Sequence, residues 1–272
     1  MATKQIAVSI IIVHYKVKED LFACLRSIEK SNTKISYEII IVDNDEEKKI
    51  EKDLVKTFPN IIYIKAESNK GFGVGNNLGA ANAKGKYFFF LNPDTRIKSN
   101  CIDILVSFTQ SNKKIGIVAP LLLDPKGIAY PIQGARVLTP LRAIFSLSFL
   151  YKLFPRNIIA SEYFLSAWDK KTIKEIDVVP GTAFLIRKNV FEKIGKFDER
   201  FFLFFEEHDI CLRVQKLGYK IFTNPHAKII HLWGRSTKKG ENIKQIFRKS
   251  RYLYFRKHFG SVWAHVVAQF LR

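Results

Sequence analysis

Apolar and polar positions along the first ninety or so residues alternate between two periods. Val8–Val13 is a β-branched run, the pattern of a strand covered on both faces. Glu19–Glu29 follows with Leu21, Leu25 and Ile28 at helical spacing. Glu38–Val42 is a second apolar run ending at Asp43, and a charged helical stretch leads to a third, Ile61–Ile64. A glycine-rich turn, a small-residue helix near Val74–Ala83 and a strand over Lys86–Leu91 complete this half. Such alternation predicts an α/β fold with a mostly parallel, Rossmann-like central sheet flanked by helices. Ligands on such sheets bind outside the carboxyl ends of the strands. His14–Tyr15, Asp43–Asp45 and Asn92–Asp94 are therefore the places to look.

The second half is patterned differently. Leu121–Ile176 reads as an irregular connection with some helix, broken by Pro125, Pro131, Pro140 and Pro155. Pro180–Gly181 turns into a strand over Ala183–Arg187. The aromatic block Phe197–Phe205 leads to a helix near Asp209–Leu217 that stops at Gly218. Short strands are expected at Tyr219–Phe222 and Ala227–His231. From Glu241 onward, cations and aromatics alternate at near-helical spacing. With no repeat or linker in sight, one continuous domain over 1–240 and a basic amphipathic helical tail over 241–272 are expected.

Composition alters this picture in one respect. Lys plus Arg number 45 against 25 Asp plus Glu, a net charge of +20 in 272 residues. A surplus of that size attracts phosphates, nucleic acid or an acidic membrane surface, and equally describes a solvated lysine-rich exterior. The three cysteines, Cys24, Cys101 and Cys211, lack metal-ligand spacing and fit a reducing, cytoplasmic compartment. The apolar start lacks the cleavage region of a signal peptide, and no stretch is long enough to span a bilayer.

Four constellations could carry chemistry. Asn92-Pro93-Asp94 ends a strong apolar strand. A carboxylate there could hold Mg²⁺ or Mn²⁺ against a phosphorylated leaving group, although the same tripeptide makes a good turn. Asp43-Asn44-Asp45 could accept hydrogen bonds from a base or ribose, or cap the next helix. Gly71-Phe72-Gly73-Val74-Gly75-Asn76-Asn77 permits close backbone approach to a ligand but matches neither the dinucleotide fingerprint nor a Walker loop. Glu206-Glu207-His208-Asp209 follows an apolar wall. Crowded, desolvated carboxylates there rise toward general-base pKa values, whereas a helix N-terminus explains Asp209 without any chemistry. His231 follows a short strand and would complete a metal site only if folding brought it to Asp94.

Taken in order, these segments resemble the inverting glycosyltransferases of family 2 with the GT-A fold, nearest to the rhamnosyltransferase-like branch. The resemblance runs through Val8–Val13, Ile41–Asn44, Asn69–Gly73 with Asn76 and Asn77, Leu91–Asp94, Gly181–Arg187, Gly195–Glu199, Glu206–Arg213, His231–Ser236 and Tyr254–His258. It implies a nucleotide-binding half over 1–120 and an acceptor and catalytic half over 121–240. It further implies that His14, Tyr15, Asp43, Asn44, Gly71, Phe72, Asn76, Asn77, Asn92, Asp94 and Arg213 bind the donor. Asp94 would be the metal-binding acid of a D-x-D element whose first acid is Asn92 here, with His231 as a further metal or diphosphate ligand. Glu207 would be the general base, Glu206 its fallback, and Asp209 would assist with Arg213 in orienting the loop or acceptor. The expected activity is divalent-cation-dependent hexosyl transfer from a nucleotide sugar, dTDP-rhamnose or a UDP-sugar, to a carbohydrate or lipid-linked glycan acceptor in cell-surface polysaccharide or glycolipid synthesis.

The tail composition suits an in-plane helix on the anionic inner face of a membrane, and equally a helix packed on the domain through its aromatics. A catalytically inactive sugar-nucleotide-binding module of the same fold is the main rival. A nucleotidyltransferase would need basic residues in a glycine loop at the first strand, which ends instead in His14-Tyr15-Lys16. A nucleic-acid binder leaves the acid cluster unexplained, so no nucleic-acid partner is expected.

Overall fold

The computed structural model describes residues 5–47, 50–155, 157–233 and 242–271. Its one sheet contains nine strands among these residues. The parallel portion consists of β1 (Val8–His14), β2 (Tyr37–Asp43), β3 (Ile62–Lys65) and β4 (Tyr87–Leu91), in spatial order β3-β2-β1-β4. Beyond β4 lie β8 (Ala183–Arg187), β6 (Ile115–Leu123), β9 (Lys220–His231) and β5 (Thr95–Ile97), and β7 (Lys174–Ile176) also pairs with β9. β8 is antiparallel to both β4 and β6, and β9 is parallel to β6. β4, β6 and β9 therefore point the same way. In consequence the carboxyl ends of β1, β2, β4 and β9 and the start of β8 share one edge of the sheet.

Helices cover both faces because the strand side chains alternate between them. On one face, α1 (Lys18–Glu29) and α4 (Cys101–Ser111) bring Leu21, Leu25, Ile28, Ile102 and Leu105 against Ile10, Ile12, Ile39, Ile41 and Phe89. Glu19 and Asp20 in the first turn of α1 and Arg26 in its last complement the helix dipole. The other face carries α3 (Phe72–Ala81), α8 (Lys188–Lys193) and α9 (Glu206–Lys216), with Phe191, Ile210 and Val214 against Ile11, Ile40, Val42, Phe88 and Phe90. Fully burying a side chain of this size stabilises by about 1.5–3 kcal/mol. α3 is built of small residues because it lies so close: a Cβ on Gly79 would stand 2.5 Å from Ile11 Cγ2. α2 (Glu51–Thr57) buries Leu54 on the outer part of the sheet.

A third core lies beyond the sheet. α5 (Pro140–Leu147), α6 (Phe149–Leu153) and α7 (Ile158–Tyr163) meet α10 (Ile243–Phe259) and α11 (Ser261–Phe270). There Tyr254, Phe255, Val267 and Leu271 pack with Ala143, Tyr163, Phe201 and Phe205. The tail is thus docked on the domain through its aromatic face.

The region expected to be irregular, Leu121–Ile176, holds the end of β6, the helices α5–α7 and β7. Its prolines do not all interrupt structure. Pro140 is the first residue of α5, where a missing N–H costs nothing, and Thr139 caps that helix by accepting from Arg142 N at 3.3 Å. The two short strands expected near Tyr219 and Ala227 are one strand. Pro225 falls where pairing with β6 jumps from Pro120↔Asn224 to Leu121↔Lys228, so a bulge absorbs its missing donor.

Candidate functional site

The shared edge collects most of the residues singled out from the sequence. His14 ends β1 in register with Asp43 at the end of β2. Asp43 is fully buried and already engaged: Oδ2 accepts from Tyr63 Oη at 2.7 Å and Lys65 Nζ at 3.2 Å, and Oδ1 accepts from Asp45 N at 3.0 Å. It therefore forms the floor of the edge, where it orients Lys65. The free acceptors lie beside it. Asn44 Oδ1, Asp45 Oδ2 and both ring nitrogens of His14 are buried without a hydrogen-bond partner among the described residues. Burial pushes the His14 pKa down, opposed by the charges of Asp43 and Asp45, so the imidazole is held toward its neutral form. A neutral imidazole offers one donor and one acceptor, as do the edges of a pyrimidine base. Tyr15 is half-buried next to it, with Lys16 Nζ 5.4 Å from its ring centroid.

The glycine loop has a different place from the one its composition suggests. Gly71 has φ +101°, and a Cβ there would lie 2.2 Å from Phe202 O. Phe72 N donates to that same carbonyl at 2.8 Å. Gly71 is required so that the loop can touch the aromatic block, which ties the nucleotide-side helix α3 to the segment leading into the acids. Asn76 donates to Phe72 O within its own helix. Asn77 donates to Phe197 O and to Glu199 Oε1 and accepts from Phe197 N, all at 3.0 Å. With these partners Asn77 clamps α3 to the segment before the aromatic block, whereas Asn76 bonds only within its own helix.

Asn92 N donates to Thr182 O at 2.8 Å, continuing the β4–β8 ladder past Leu91↔Ala183. That register sets Gly181 beside the Asn92-Pro93-Asp94 turn. Gly181 in turn lies against Glu207: a Cβ on it would stand 3.6 Å from the Glu207 carboxyl. The turn and the acid cluster, over a hundred residues apart, are thus joined by two consecutive residues of β8's lead-in. On the other side, Thr95 pairs with His231, and Leu232 N donates to Asp94 O at 2.9 Å. His231 Nε2 stands 3.4 Å from Asp94 Oδ1, and that oxygen and His231 Nδ1 are buried without a hydrogen-bond partner among the described residues. Tyr130 secures this histidine by donating to its backbone oxygen at 2.9 Å and packing against its ring. Residues 234–236, the continuation of the His231 motif, lie outside the described residues.

The acids themselves divide into separate roles. Phe204 and Phe205 adopt positive φ, +71° and +69°, which non-glycine side chains rarely accept. This kink turns the start of α9 toward Gly181. Glu206 is 3% exposed, its Oε1 has no partner among the described residues, and burial followed by the Glu207 charge raises its pKa well above the carboxyl range. The Glu207 side chain is 23% exposed and reaches His208 Nδ1 at 3.1 Å. Asp209 departs from the expected catalytic role. Its carboxylate is fully buried and receives Arg213 Nε at 2.9 Å, Arg213 Nη2 at 2.6 Å, His258 Nε2 at 2.8 Å and Lys257 Nζ at 2.5 Å. Arg213 is spent likewise on Asp209 and on Ile194 O, rather than on a donor. Asp209 is an anchor that fastens α10 to α9.

The metal expectation is met only in part. Among the described residues no group of three or more His, Cys, Asp and Glu side chains is arranged to hold an ion. The pair Asp94 and His231 remains, one oxygen and one nitrogen donor with unused lone pairs. That fits a cation completing its shell with phosphate oxygens and water, and does not fit an all-protein cage.

Comparison with known proteins decides the family. The sequence model of the family described as Glycosyl transferase family 2 matches residues 9–195. The chain belongs to glycosyl transferase family 2. The matched span contains β1, β2, β4 and the lead-in to β8, and stops short of the acid cluster. This glycosyltransferase is 25% identical over 237 residues to an N-acetylglucosaminyl-diphospho-decaprenol L-rhamnosyltransferase of Mycobacterium tuberculosis, covering 83% of this chain and 76% of that one. It is 26% identical over 204 residues to the Escherichia coli rhamnosyltransferase WbbL, covering 72% of each. Among solved structures it resembles GalNAc-T7 with UDP, GalNAc and Mn²⁺ at a TM-score of 0.64 and 18% identity, over 93% of this chain and 51% of that one. It also resembles Staphylococcus aureus TarS 1-349 at a TM-score of 0.58 and 13% identity, over 98% of this chain and 70% of that one. These two likenesses establish the GT-A type of fold.

Sequence reasoning passed over Tyr63 and Lys65, which engage Asp43. Lys65 directly follows the run Ile61–Ile64 and pairs with Asp43, so the register of adjacent parallel strands could have found it. Gly181 was visible as a turn residue and in the resembling segment Gly181–Arg187, but its place against Glu207 was not.

Proposed function

We propose that this enzyme transfers a sugar, rhamnose in the first instance, from a nucleoside diphosphate to the hydroxyl of a glycan acceptor carried on a lipid diphosphate, with inversion at the anomeric carbon. The observation that supports this reading is the line from Asp94 through Asn92, Thr182 and Gly181 to Glu207, which joins two acids along one sheet edge, one suited to meet the diphosphate and the other to act as base. The relatives named as rhamnosyltransferases supply the sugar, and the decaprenol-diphosphate relative supplies the acceptor class.

His14, Asn44 and Asp45 would meet the nucleoside, with their unpartnered polar atoms satisfied by base or ribose. Glu207 would take the proton of the acceptor hydroxyl as that oxygen attacks the anomeric carbon. The bond from that carbon to the diphosphate oxygen breaks on the opposite face, and its electron pair leaves with the nucleoside diphosphate. Asp94 and His231 would hold a divalent cation, which when bound neutralises charge on the leaving diphosphate. Glu206, protonated in its buried site, would donate a hydrogen bond and support Glu207 from behind. Nothing in this arrangement favours an inert binding module.

The test joins binding to turnover. Thermal shifts with dTDP-, UDP- and GDP-sugars, with and without Mn²⁺, should select one base, since ligand at a hundred times its Kd adds about 2.7 kcal/mol of stability. Glu207→Gln should keep that shift while transfer falls by roughly 10²–10⁴. Transfer at the wild-type rate would remove Glu207 from the role of base.

A further inference from the structure

α10 carries Lys244, Arg248 and Arg251 at spacings of four and three residues, so the three cations occupy one face of the helix. That face, together with Phe204, Phe247 and Leu271, lines a cavity of about 300 Å³. Arg251 is only 7% exposed, and its guanidinium lies over the Phe247 ring at 5.9 Å from the centroid. Among the described residues neither it nor Lys244 nor Arg248 is paired with a carboxylate. Burial, and then the adjacent Arg248 charge, lower the pKa of Arg251. A desolvated cation set beside like charges with no counter-charge costs stability, and an anion in the cavity would relieve that cost.

Two features say what kind of anion fits. The wall residue Phe204 belongs to the strained pair directly before Glu206 and Glu207, and Ser250 Oγ fastens α10 to this loop by donating to Leu203 O at 2.8 Å. The cavity therefore adjoins the loop that leads into the acid cluster. At its other side, next to Leu271, Phe270 stacks on Phe149 at 6.2 Å. Apolar surface continues from there: Leu153 and Phe154 are 64% and 60% exposed, and Leu147 and Ile158 are also exposed. Cations thus converge at one end, near the base, and bare aliphatic and aromatic surface leads away from the other. A water-soluble glycan would use the first feature and leave the second bare.

We infer that this cavity is a second anion site that receives the diphosphate of a lipid-linked acceptor, with the lipid chain leaving over Phe149, Phe270 and the exposed side chains of α5–α7. The inference rests on the acceptor reading proposed above and adds where the acceptor is held. Lys244, Arg248 and Arg251 grip the diphosphate, and the sugar beyond it extends toward Glu207. The donor diphosphate stays at Asp94, so two diphosphates are held by different residues in one turnover.

Farnesyl diphosphate is the probe. Calorimetric titration of the full chain is carried out with the donor cleft saturated by the nucleoside diphosphate that binds it. The wild type should bind farnesyl diphosphate, and farnesol should not bind. Lys244→Gln and Arg248→Gln, both at exposed positions, should each weaken binding about tenfold, the order of one charge-assisted hydrogen bond. Their melting temperature should not fall below the wild-type value, and their nucleotide-sugar affinity should be unchanged. Unchanged affinity in the double variant, equal binding of farnesol, or displacement by the nucleoside diphosphate alone would each overturn the inference. So would uptake of the chain by phosphatidylglycerol vesicles that depends on Arg248 without any binding of farnesyl diphosphate, because the cations would then serve a bulk lipid surface. A chain that binds nucleotide sugar but not farnesyl diphosphate refutes this site alone, whereas one that binds neither refutes the proposed function as well.

Discussion

Replacing Asp209 with asparagine keeps the shape of the side chain and removes its charge. Four donor contacts converge on this carboxylate, two from Arg213, one from His258 and one from Lys257, and its exposure is 0%. Removing one partner of a buried ion pair typically costs about 3–5 kcal/mol, because the remaining charges stay buried and uncompensated. Lys257 keeps Asp198 at 2.7 Å, which places the expected loss near the lower bound, about 3 kcal/mol. For a chain of this size that is a fall in melting temperature of roughly 6–12 °C. The loss has a pH signature. Burial raises the Asp209 pKa, but the His258 hydrogen bond and the Arg213 and Lys257 charges more than offset it, so the folded value lies below the ordinary carboxyl range. The ion cluster therefore contributes fully above the unfolded carboxyl pKa of about 4, and its contribution disappears as pH falls through the lower folded value. The gap between wild type and Asp209→Asn should be wide at pH 7 and narrow below about pH 4. Differential scanning fluorimetry across pH measures it, and hydrogen exchange should show α10 losing protection before the sheet. A variant that melts within about 1 °C of wild type yet loses sugar transfer would refute the anchor and return Asp209 to the chemistry.

Gly71→Ala should destabilise by about 1–3 kcal/mol or more, since it adds a Cβ 2.2 Å from Phe202 O at a φ of +101°; a denaturation midpoint unchanged within error would show that the close contact is not required. Glu206→Gln should be more stable than wild type at pH 8 and equal to it near pH 4. A buried carboxyl whose folded pKa is raised costs stability as pH climbs past its unfolded value of 4.5, and the amide removes that cost; a constant difference across that range would exclude a protonated Glu206. His14→Leu should leave stability level or slightly higher, because it deletes two unpartnered buried nitrogens, while nucleotide-sugar affinity falls about tenfold. Unaltered affinity in that variant would take His14 out of the donor pocket.

Much of the molecule was legible in the chain itself, for identifiable reasons. The runs at Ile10–Val13, Ile39–Val42 and Phe88–Leu91 have few structural alternatives, because β-branched and aromatic stretches that short must be buried on both faces, and polar residues directly after them must lie at the strand ends. Asp43 and Asn92–Asp94 were found in this way. β6 was not singled out from the sequence, although every residue of Ile115–Leu123 is buried, Pro120 among them. A register shift next to Pro120 accommodates it. The helices α5–α7 were hidden by prolines that turned out to sit at helix starts and in connections.

What a side chain does was decided by its partners. Asn77, Asp209 and Arg213 have the residue types expected of a donor or catalytic site, yet each is engaged by contacts 4 to 122 residues away along the chain. Local pattern governs whether a segment is strand or helix, because propensity and burial act over a few residues. Which carboxylate keeps free lone pairs depends on which distant cation reaches it first. The antiparallel insertion of β8 next to β4, and the direction of β9, then bring Gly181, Glu207 and His231 to the edge where Asp94 already stands, and only the closed sheet fixes those directions.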